Sequence, residues 1–297
     1  MLTLNSSRDF DPSRTLTLRR QFVSDINKRG RDLKGAIRKS IVENDCFGLR
    51  KNPLYTFALE PAPKDAFSFR RSADKVTGFM EWLNAQEEKG VLEIVHRFDS
   101  LRGIEDAWTD VYIRRAYDRG VLTGRQELRK AGYDVPVLTP PEVPALLAQP
   151  MHADRLGVLF TRTFSELKGV TRAMDQQISR VLADGLMRGD NPEIIAKALN
   201  NRVGKIGITR WRTVARTEIV RAHHVANIAE FEQWGVDGVK VQAEWLTGGF
   251  RVCPICQSLE GKVFPLKEIE GMIPRHPNCK CAALPVDAPK EKRRRAA

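Results

Sequence analysis

The sequence lacks a long apolar run and an apolar leader. No stretch approaches the roughly 18 consecutive apolar residues of a membrane-spanning helix, although 42% of the 297 residues are hydrophobic. The first ten residues, Met1 to Phe10, are polar and contain no apolar core of a secretion signal. We therefore expect no membrane association and synthesis in a reducing cytoplasm.

Cysteine is scarce, and its distribution is uneven. Only five cysteines occur in the chain, and four of them fall within the 29 residues from Cys253 to Cys281. In a reducing compartment, clustered cysteines more often indicate a metal site than disulfides. The remaining one, Cys46, is expected to be a small buried apolar residue and not a nucleophile.

Acidic residues are outnumbered, with 37 Asp and Glu against 49 Lys and Arg, which gives a net charge of +12. Such a balance suits a polyanionic neighbour, of which nucleic acid is the commonest. Excess charge also keeps a protein dispersed in solution, so solubility is the alternative explanation. Composition gives no support for base-specific recognition.

Apolar periodicity predicts a mostly helical protein. The first helix should cover residues 13–43, where apolar residues recur at helical spacing, although Gly30 and Gly35 could interrupt it. Its apolar positions are Leu18, Phe22, Ile26, Leu33, Ile37 and Ile41. Further helices are predicted over residues 72–89, 103–131, 156–188, 192–203 and 208–234.

Strand signals are confined to the C-terminal part. Residues 239–246 alternate and predict a strand, followed to residue 286 by short strands and loops around the cysteines. Five prolines lie between residues 133 and 150, which disfavours a helix there. We predict an α+β protein with a helical region (1–132), a proline-rich connector (133–150), a second domain (151–288) ending in a small, β-rich, zinc-stabilised module, and a basic tail (289–297).

The cysteine cluster has the spacing of a metal site. Cys253-Pro-Ile-Cys256 offers two thiolates from one turn, and His276-Pro-Asn-Cys279-Lys-Cys281 offers three further ligands. A structural Zn²⁺ takes four such ligands in a tetrahedron. Our preferred set is Cys253, Cys256, His276 and Cys279, with Cys281 as the alternative fourth ligand. Packed free thiols and a disulfide are the alternatives.

Basic residues cluster at the start of the helix predicted over residues 208–234. They could contact DNA phosphates, or they could form a solvated helix face. The candidates are Arg202, Lys205, Arg210, Arg212, Arg216 and Arg221.

The second half resembles the phage Mu F-like minor head proteins, a phage head morphogenesis family. The motifs that carry the resemblance occur in the family's order over residues 210–285. They are Ala215-Arg-Thr-Glu218, Trp245-Leu-Thr247, Cys253-Pro-Ile-Cys256, Leu259-Glu-Gly261 and His276-Pro-Asn-Cys-Lys-Cys281. Two departures stand out: residues 248–251 contain no acid before the first cysteine pair, and Lys280 replaces the usual arginine.

The resemblance implies a minor capsid protein without catalytic activity. Such a protein would lie inside the head of the virion, associate with the portal and with major capsid or scaffold proteins, and contact packaged double-stranded DNA without sequence preference. It would be assembled in the host cytoplasm.

Two other functions remain open from the residues. The first is a zinc-containing, HNH-like nuclease acting on DNA, which the cysteine pair, the HPxCxC motif and the positive charge suggest, although the chain lacks a His-Asn-His ligand set. The second is a sequence-specific regulator, since the helices predicted over 192–203 and 208–234 could mimic a helix-turn-helix.

Overall fold

The computed structural model describes residues 11–49, 74–95, 106–139, 141–235, 241–248 and 252–287. The predicted fold class is confirmed: most of these residues are helical, and a small antiparallel sheet lies near the C-terminus. The basic tail, residues 249–251 and the polar N-terminal residues lie outside the described ranges. Within those ranges, no helix has the length and apolar character needed to cross a membrane.

The helices follow one another along the chain with few strands between them. The longer ones are α1 (Leu16–Arg38), α2 (Lys75–Lys89), α3 (Asp110–Lys130), α5 (Pro150–Arg188), α6 (Pro192–Arg202) and α7 (Thr209–Trp234). Three short helices are α4 (Glu142–Leu147), α8 (Pro254–Gln257) and α9 (Leu266–Ile269).

The first helix is unbroken despite its two glycines. Asp11 caps its beginning, because the carboxylate accepts a hydrogen bond from the Leu16 amide at 2.6 Å. The helix runs on into a π-helical turn, Lys39–Glu43. All six of the predicted apolar positions are buried. Burial of this stripe explains why the helix persists through Gly30 and Gly35.

Three of the predictions for the helical part differ from the structure, and the first is that α5 begins at Pro150 and not at residue 156. The third helix begins at Asp110 and not at residue 103, because residues 106–107 form strand β2, which pairs with β1 (Ile94–Val95). The proline-rich segment contains helix α4, which places Pro144 in its first turn. Proline is tolerated there because the first amides of a helix have no partner within it.

No turn separates α6 from α7. Asn191 caps α6 by accepting a hydrogen bond from the Ile194 amide at 2.9 Å, and Pro192 takes the first helical position, as predicted. A π-helical segment, Val203–Ile208, then leads directly into α7. A helix-turn-helix therefore does not form here.

The C-terminal sheet has three antiparallel strands in the order β4-β3-β5. Strand β3 (Val241–Leu246) is central and alternates between buried and half-buried residues, as its sequence predicts. Strands β4 (Val263–Pro265) and β5 (Ala282–Asp287) flank it. The central position places Trp245 in the core, where it is fully buried.

The chain forms two compact units, each drawn from separated segments. Unit 1 comprises Met1–Phe22, Thr109–Arg162 and Ala215–Ala297, and unit 2 comprises Val23–Trp108 and Thr163–Val214. The sequence-based division at residues 133–150 concerns domains and stays a prediction. The core of unit 2 is helical and includes Ile26, Leu33, Ile37, Phe79, Leu83, Met174, Ile178, Leu182, Leu199 and Trp211. The core of unit 1 includes Leu128, Val220, Ile228, Phe231, Ala243, Trp245, Cys256, Ile269, Cys279 and Cys281.

Candidate metal centre

Two loops of unit 1 bring the predicted metal ligands together. The first is the beginning of α8, where Cys253 is the N-cap and its sulfur accepts a hydrogen bond from the Cys256 amide at 3.3 Å. Pro254 occupies the first helical position and fixes this turn. The two thiols of the CxxC motif therefore lie on the same side of a short, well-defined turn.

The second loop presents His276. Its Nδ1–H donates to the Pro277 carbonyl at 2.8 Å, so Nε2 carries the free lone pair. Nε2 lies 3.1 Å from the Cys253 sulfur and 3.2 Å from the Cys256 sulfur. Fixing the imidazole tautomer through a hydrogen bond at the other nitrogen is typical of metal-binding histidines.

Cys279 and Cys281 complete the cluster from the buried side. A turn with Asn278 at φ +62° returns the chain, and the Cys279 amide donates to the His276 carbonyl at 3.1 Å. The sulfurs of Cys256 and Cys279 are 3.9 Å apart. Potential ligand atoms form two overlapping groups, one of Cys253, Cys256 and His276 and one of Cys256, Cys279 and Cys281, each with separations within 4.8 Å.

The thiols differ in how readily they ionise. A hydrogen bond from the Cys281 thiol lowers the pKa of Cys279 to about 5. Burial and the nearby Cys279 charge raise the pKa of Cys256 to about 12. The pKa of Cys281 is also raised, first by the hydrogen bond it makes to Cys279 and then by burial. A hydrogen bond from the Cys256 amide lowers the pKa of Cys253.

The pKa of His276 is raised on balance. Burial lowers it, but the hydrogen bond to Pro277 and the nearby Cys279 and Cys253 sulfurs outweigh that effect. A cation bound among these groups would favour the thiolate forms of the cysteines.

The arrangement fits a tetrahedral cation such as Zn²⁺. Ligands at zinc bond lengths in a tetrahedron lie about 3.3 to 3.8 Å apart, and the measured separations of 3.1, 3.2 and 3.9 Å are close to that range. All five cysteines are free thiols, so the disulfide alternative is wrong for this structure. The cluster could hold a metal ion, but geometry does not select which four of the five ligands would bind it.

The ARTE motif on α7 supports the ligand loop, a role that sequence reasoning missed. Thr217, the third residue of the motif, accepts a hydrogen bond from the Asn278 amide at 3.0 Å through its hydroxyl. Two turns further along, His224 donates from Nε2 to the Ile269 carbonyl at 2.9 Å. Burial lowers the pKa of His224 to about 4, which keeps the imidazole neutral. Helix α7 is therefore hydrogen-bonded to both the HPNC turn and α9.

The other family motifs have structural roles around the same sheet. The Trp245 backbone exchanges hydrogen bonds with the LEG turn and the residue after it: its amide donates to the Lys262 carbonyl at 2.8 Å, and its carbonyl accepts from the Gly261 amide at 2.9 Å. Gly261 has φ +71°, a conformation that favours glycine. The Thr247 amide donates to the Glu260 carboxylate at 2.6 Å. The W-x-T strand and the L-x-G turn thus position the Cys253 loop.

The predicted DNA-contact residues fall in different surroundings. Of those in unit 2, Lys205 and Arg210 are exposed, Arg202 is half-buried, and Arg212 donates to the Asn27 side chain. In unit 1, Arg216 is exposed. The DNA-contact role of all six residues stays a prediction.

Arg221 in unit 1 pairs with Glu218 at 3.1 Å, as its i, i+3 spacing predicts. Glu218 also pairs with Arg162 at 3.2 Å. The Glu218 carboxylate is almost fully buried between two arginines, and it therefore serves to hold the helices together.

Among the described residues, neither metal-ligand group contains a carboxylate. The adjacent histidines of α7 point to separate surroundings, and His223 is fully buried with a pKa lowered to about 3 by burial. The described ligand groups therefore offer no carboxylate base of the kind that the nuclease alternative requires.

Sequence reasoning also missed a buried polar network in unit 1. Arg125 donates to Glu230 at 2.8 Å, with both side chains almost completely buried. Trp234 donates to the same carboxylate at 3.1 Å. The His152 ring lies between them and Tyr117, with Nε2 3.7 Å from Glu230 and Nδ1 3.0 Å from the Tyr117 hydroxyl. No sequence motif links these five helical positions, so only packing reveals the network.

Comparison with known proteins agrees with the motifs. Residues 176–284 match the model of the family described as Phage Mu protein F like protein. No match was found among curated proteins or among solved structures. The matched region contains α7, strands β3 and β4, residues 282–284 of β5 and every candidate metal ligand. The resemblance predicted from the motifs is therefore confirmed, and over residues 176–284 the chain is similar to the phage Mu F-like head morphogenesis proteins.

Proposed function

We propose that the protein is a minor capsid protein that lies inside the phage head, bound to the portal and close to packaged DNA. The observation that carries this proposal is the family match over residues 176–284, whose motifs all serve one compact module. The net charge of +12 supports DNA proximity independently of the family. Its other partners would be the major capsid or scaffold proteins, met in the host cytoplasm during assembly.

We propose that the Cys/His cluster holds a structural zinc ion and performs no catalysis. Two short loops, a three-residue strand and two four-residue helices surround it, and such a region gains stability from a metal that joins its parts. Cys253, Cys256, His276 and Cys279 are the preferred ligands, with Cys281 as the alternative. Bound zinc would cross-link the α8 turn to the HPNC turn.

The first test is co-expression with the portal protein of the same phage, followed by gradient sedimentation of the untagged pair. We expect the chain to migrate with the portal ring, and the chain alone to stay near the top of the gradient. A chain that remains at the top when the portal ring is present would contradict the head-assembly role.

A nicking assay tests the remaining enzymatic alternative. Supercoiled plasmid incubated with the protein and Mg²⁺ or Mn²⁺ should remain intact. Metal-dependent nicking that disappears in a His276→Ala variant whose thermal melting matches the wild type would favour the HNH-like nuclease instead.

A further inference from the structure

Two rows of basic side chains border an antiparallel helix seam in unit 2. The seam is defined by α1 with its π-helical turn on one side and residues 192–212 on the other. Arg212 donates to Asn27, and a Cβ at Gly30 would lie 2.5 Å from Ile208. Further along, a Cβ at Gly204 would lie 2.9 Å from the Lys34 amino group. The contacts move backwards along residues 192–212 as α1 advances, so the two segments run antiparallel.

The first basic row lies on α1. Arg31, Lys34 and Arg38 are three and four residues apart, a spacing that places them on one helix face. Asn27, which binds Arg212, and Lys34, which approaches Gly204, show that this face borders the seam. Arg31 and Arg38 are exposed, and Lys34 is half-buried.

The second row consists of Arg202, Lys205 and Arg212, on the segment that faces α1. Lys205 is exposed, and its neighbour Gly204 is the residue that Lys34 approaches. Arg210 belongs elsewhere, because it lines a shallow cavity with Ser165 and Glu166. The seam therefore contains three of the six basic residues predicted to contact DNA, and three basic residues of α1 that the sequence did not single out.

The seam concentrates positive charge without internal compensation. Among the described residues, none of Arg31, Lys34, Arg38, Arg202 and Lys205 forms an ion pair. Like charges on neighbouring helix positions repel one another. An external polyanion would remove this repulsion.

We propose that this basic seam is the surface through which the protein binds the phosphate backbone of double-stranded DNA. The inference rests on the proposed proximity to packaged DNA and names its contact surface. Arg31 and Arg38 are seven residues apart, about 10 Å along the helix axis, and a duplex carries roughly six negative charges over that length. Contacts of this kind involve no base edges, so binding is independent of sequence.

The test compares two triple variants that lose the same charge. The seam variant carries Arg31→Gln, Lys34→Gln and Arg38→Gln. The control carries Lys168→Gln, Arg172→Gln and Arg180→Gln, three exposed positions on α5 of the same unit. Glutamine preserves helix propensity, and thermal melting checks that both variants fold. Should the seam variant fail to fold, Arg38→Gln with Arg180→Gln as its control replaces the pair.

Binding is measured by fluorescence anisotropy with a labelled duplex over a range of salt concentrations. The seam variant should bind about tenfold more weakly or worse, and its slope of log K against log salt should fall by about 2 to 3. The control should lose much less. The single Arg38→Gln variant should lower the slope by about one.

Three outcomes would overturn the proposal and are distinguishable. Equal losses in both variants would assign binding to overall charge, leaving DNA proximity intact. No DNA binding by the wild type would reject DNA contact itself. Polyglutamate is added as a competitor at equal charge concentration. If it displaces the duplex from the wild type and does not bind the seam variant, the seam is a binding surface for an acidic protein.

Discussion

The Cys/His module and the α3–α7 crossing, both in unit 1, bury polar groups in different ways. At the crossing, Arg125 and Glu230 pair at 2.8 Å, and Trp234 donates a further hydrogen bond to the same carboxylate. In the module, Cys256, Cys279 and Cys281 are buried next to one another, and His276 is the one member of the described ligand groups that can carry a positive charge. The crossing contains its own counter-charge, whereas the module would gain one by binding a cation, as proposed above.

Cys256→Ser should have the largest effect on the module, because this sulfur belongs to both ligand groups. We expect loss of bound zinc and the largest loss of thermal stability, with hydrogen exchange rising in β3 and β5 more than in α3. Metal content by mass spectrometry and local exchange are the measurements. Cys46→Ser is the control, since this buried thiol lies outside the cluster and should leave zinc content unchanged.

The same measurement identifies the fourth ligand. Zinc retained in Cys281→Ser but lost in Cys279→Ser would support the preferred set. Full zinc content in Cys256→Ser would contradict the metal centre altogether.

Glu230→Gln tests the crossing. It leaves the Arg125 charge buried without its partner and should lower the free energy of unfolding by about 3 to 5 kcal/mol. Glu232→Gln is the matched control on the same helix, because Glu232 pairs with Arg155 at a half-buried position and should cost about 0 to 1 kcal/mol. Urea denaturation of the two variants measures the difference. Equal losses in the free energy of unfolding would contradict a larger effect of the buried pair.

Gly120→Ala tests how closely α3 approaches α7. The added Cβ would lie 2.4 Å from the His223 carbonyl oxygen and 2.6 Å from the Ala226 Cβ, so the helices must separate, at a cost of about 1 to 3 kcal/mol. At Gly35 on α1 a Cβ meets nothing within 4 Å. Gly35→Ala should therefore stabilise by about 0.5 to 1 kcal/mol. A destabilised Gly35→Ala or a neutral Gly120→Ala, measured by thermal melting, would contradict this packing.

A buried pair of carboxyl groups in unit 2, Glu87 and Asp175, should make the stability of the fold depend on pH. Burial, followed by the neighbouring Asp175 charge and hydrogen bond, raises the pKa of Glu87 to about 10. The folded protein therefore keeps a proton that the unfolded chain releases above its ordinary pKa of 4.5, so this site loses stability as pH rises from about 4.5 to 10.

Glu87→Gln should remove that dependence. We expect little change at pH 4 and a clear gain at pH 8, with an upper bound of about 1.4 kcal/mol for each pH unit above 4.5, measured by urea denaturation at both values. Glu81→Gln, at an exposed position of the same helix, should show no such gain. A variant whose stability follows the wild type at both pH values would reject the raised pKa.

Local patterns predicted the elements that depend on local physics. The stripe from Leu18 to Ile41 gave α1, and alternation gave β3, because burial of one face follows helix and strand periodicity. Boundaries were missed where tertiary contacts decide them. Strand β2 replaces the expected first turns of α3 because it pairs with β1, and α4 forms despite Pro144 because proline fits the first helical turn.

The family motifs, the helical character and the Cys/His cluster that could hold a metal ion were all readable from the sequence, since motif order, periodicity and CxxC spacing are properties of neighbouring residues. Three contacts became visible only in the folded structure: the hydrogen bond from the Asn278 amide to Thr217, the ion pair of Arg125 with Glu230 105 residues away, and the close approach of Lys34 to Gly204. These contacts join residues far apart in the chain. Their formation depends on which helices pack together, and no local pattern encodes that choice.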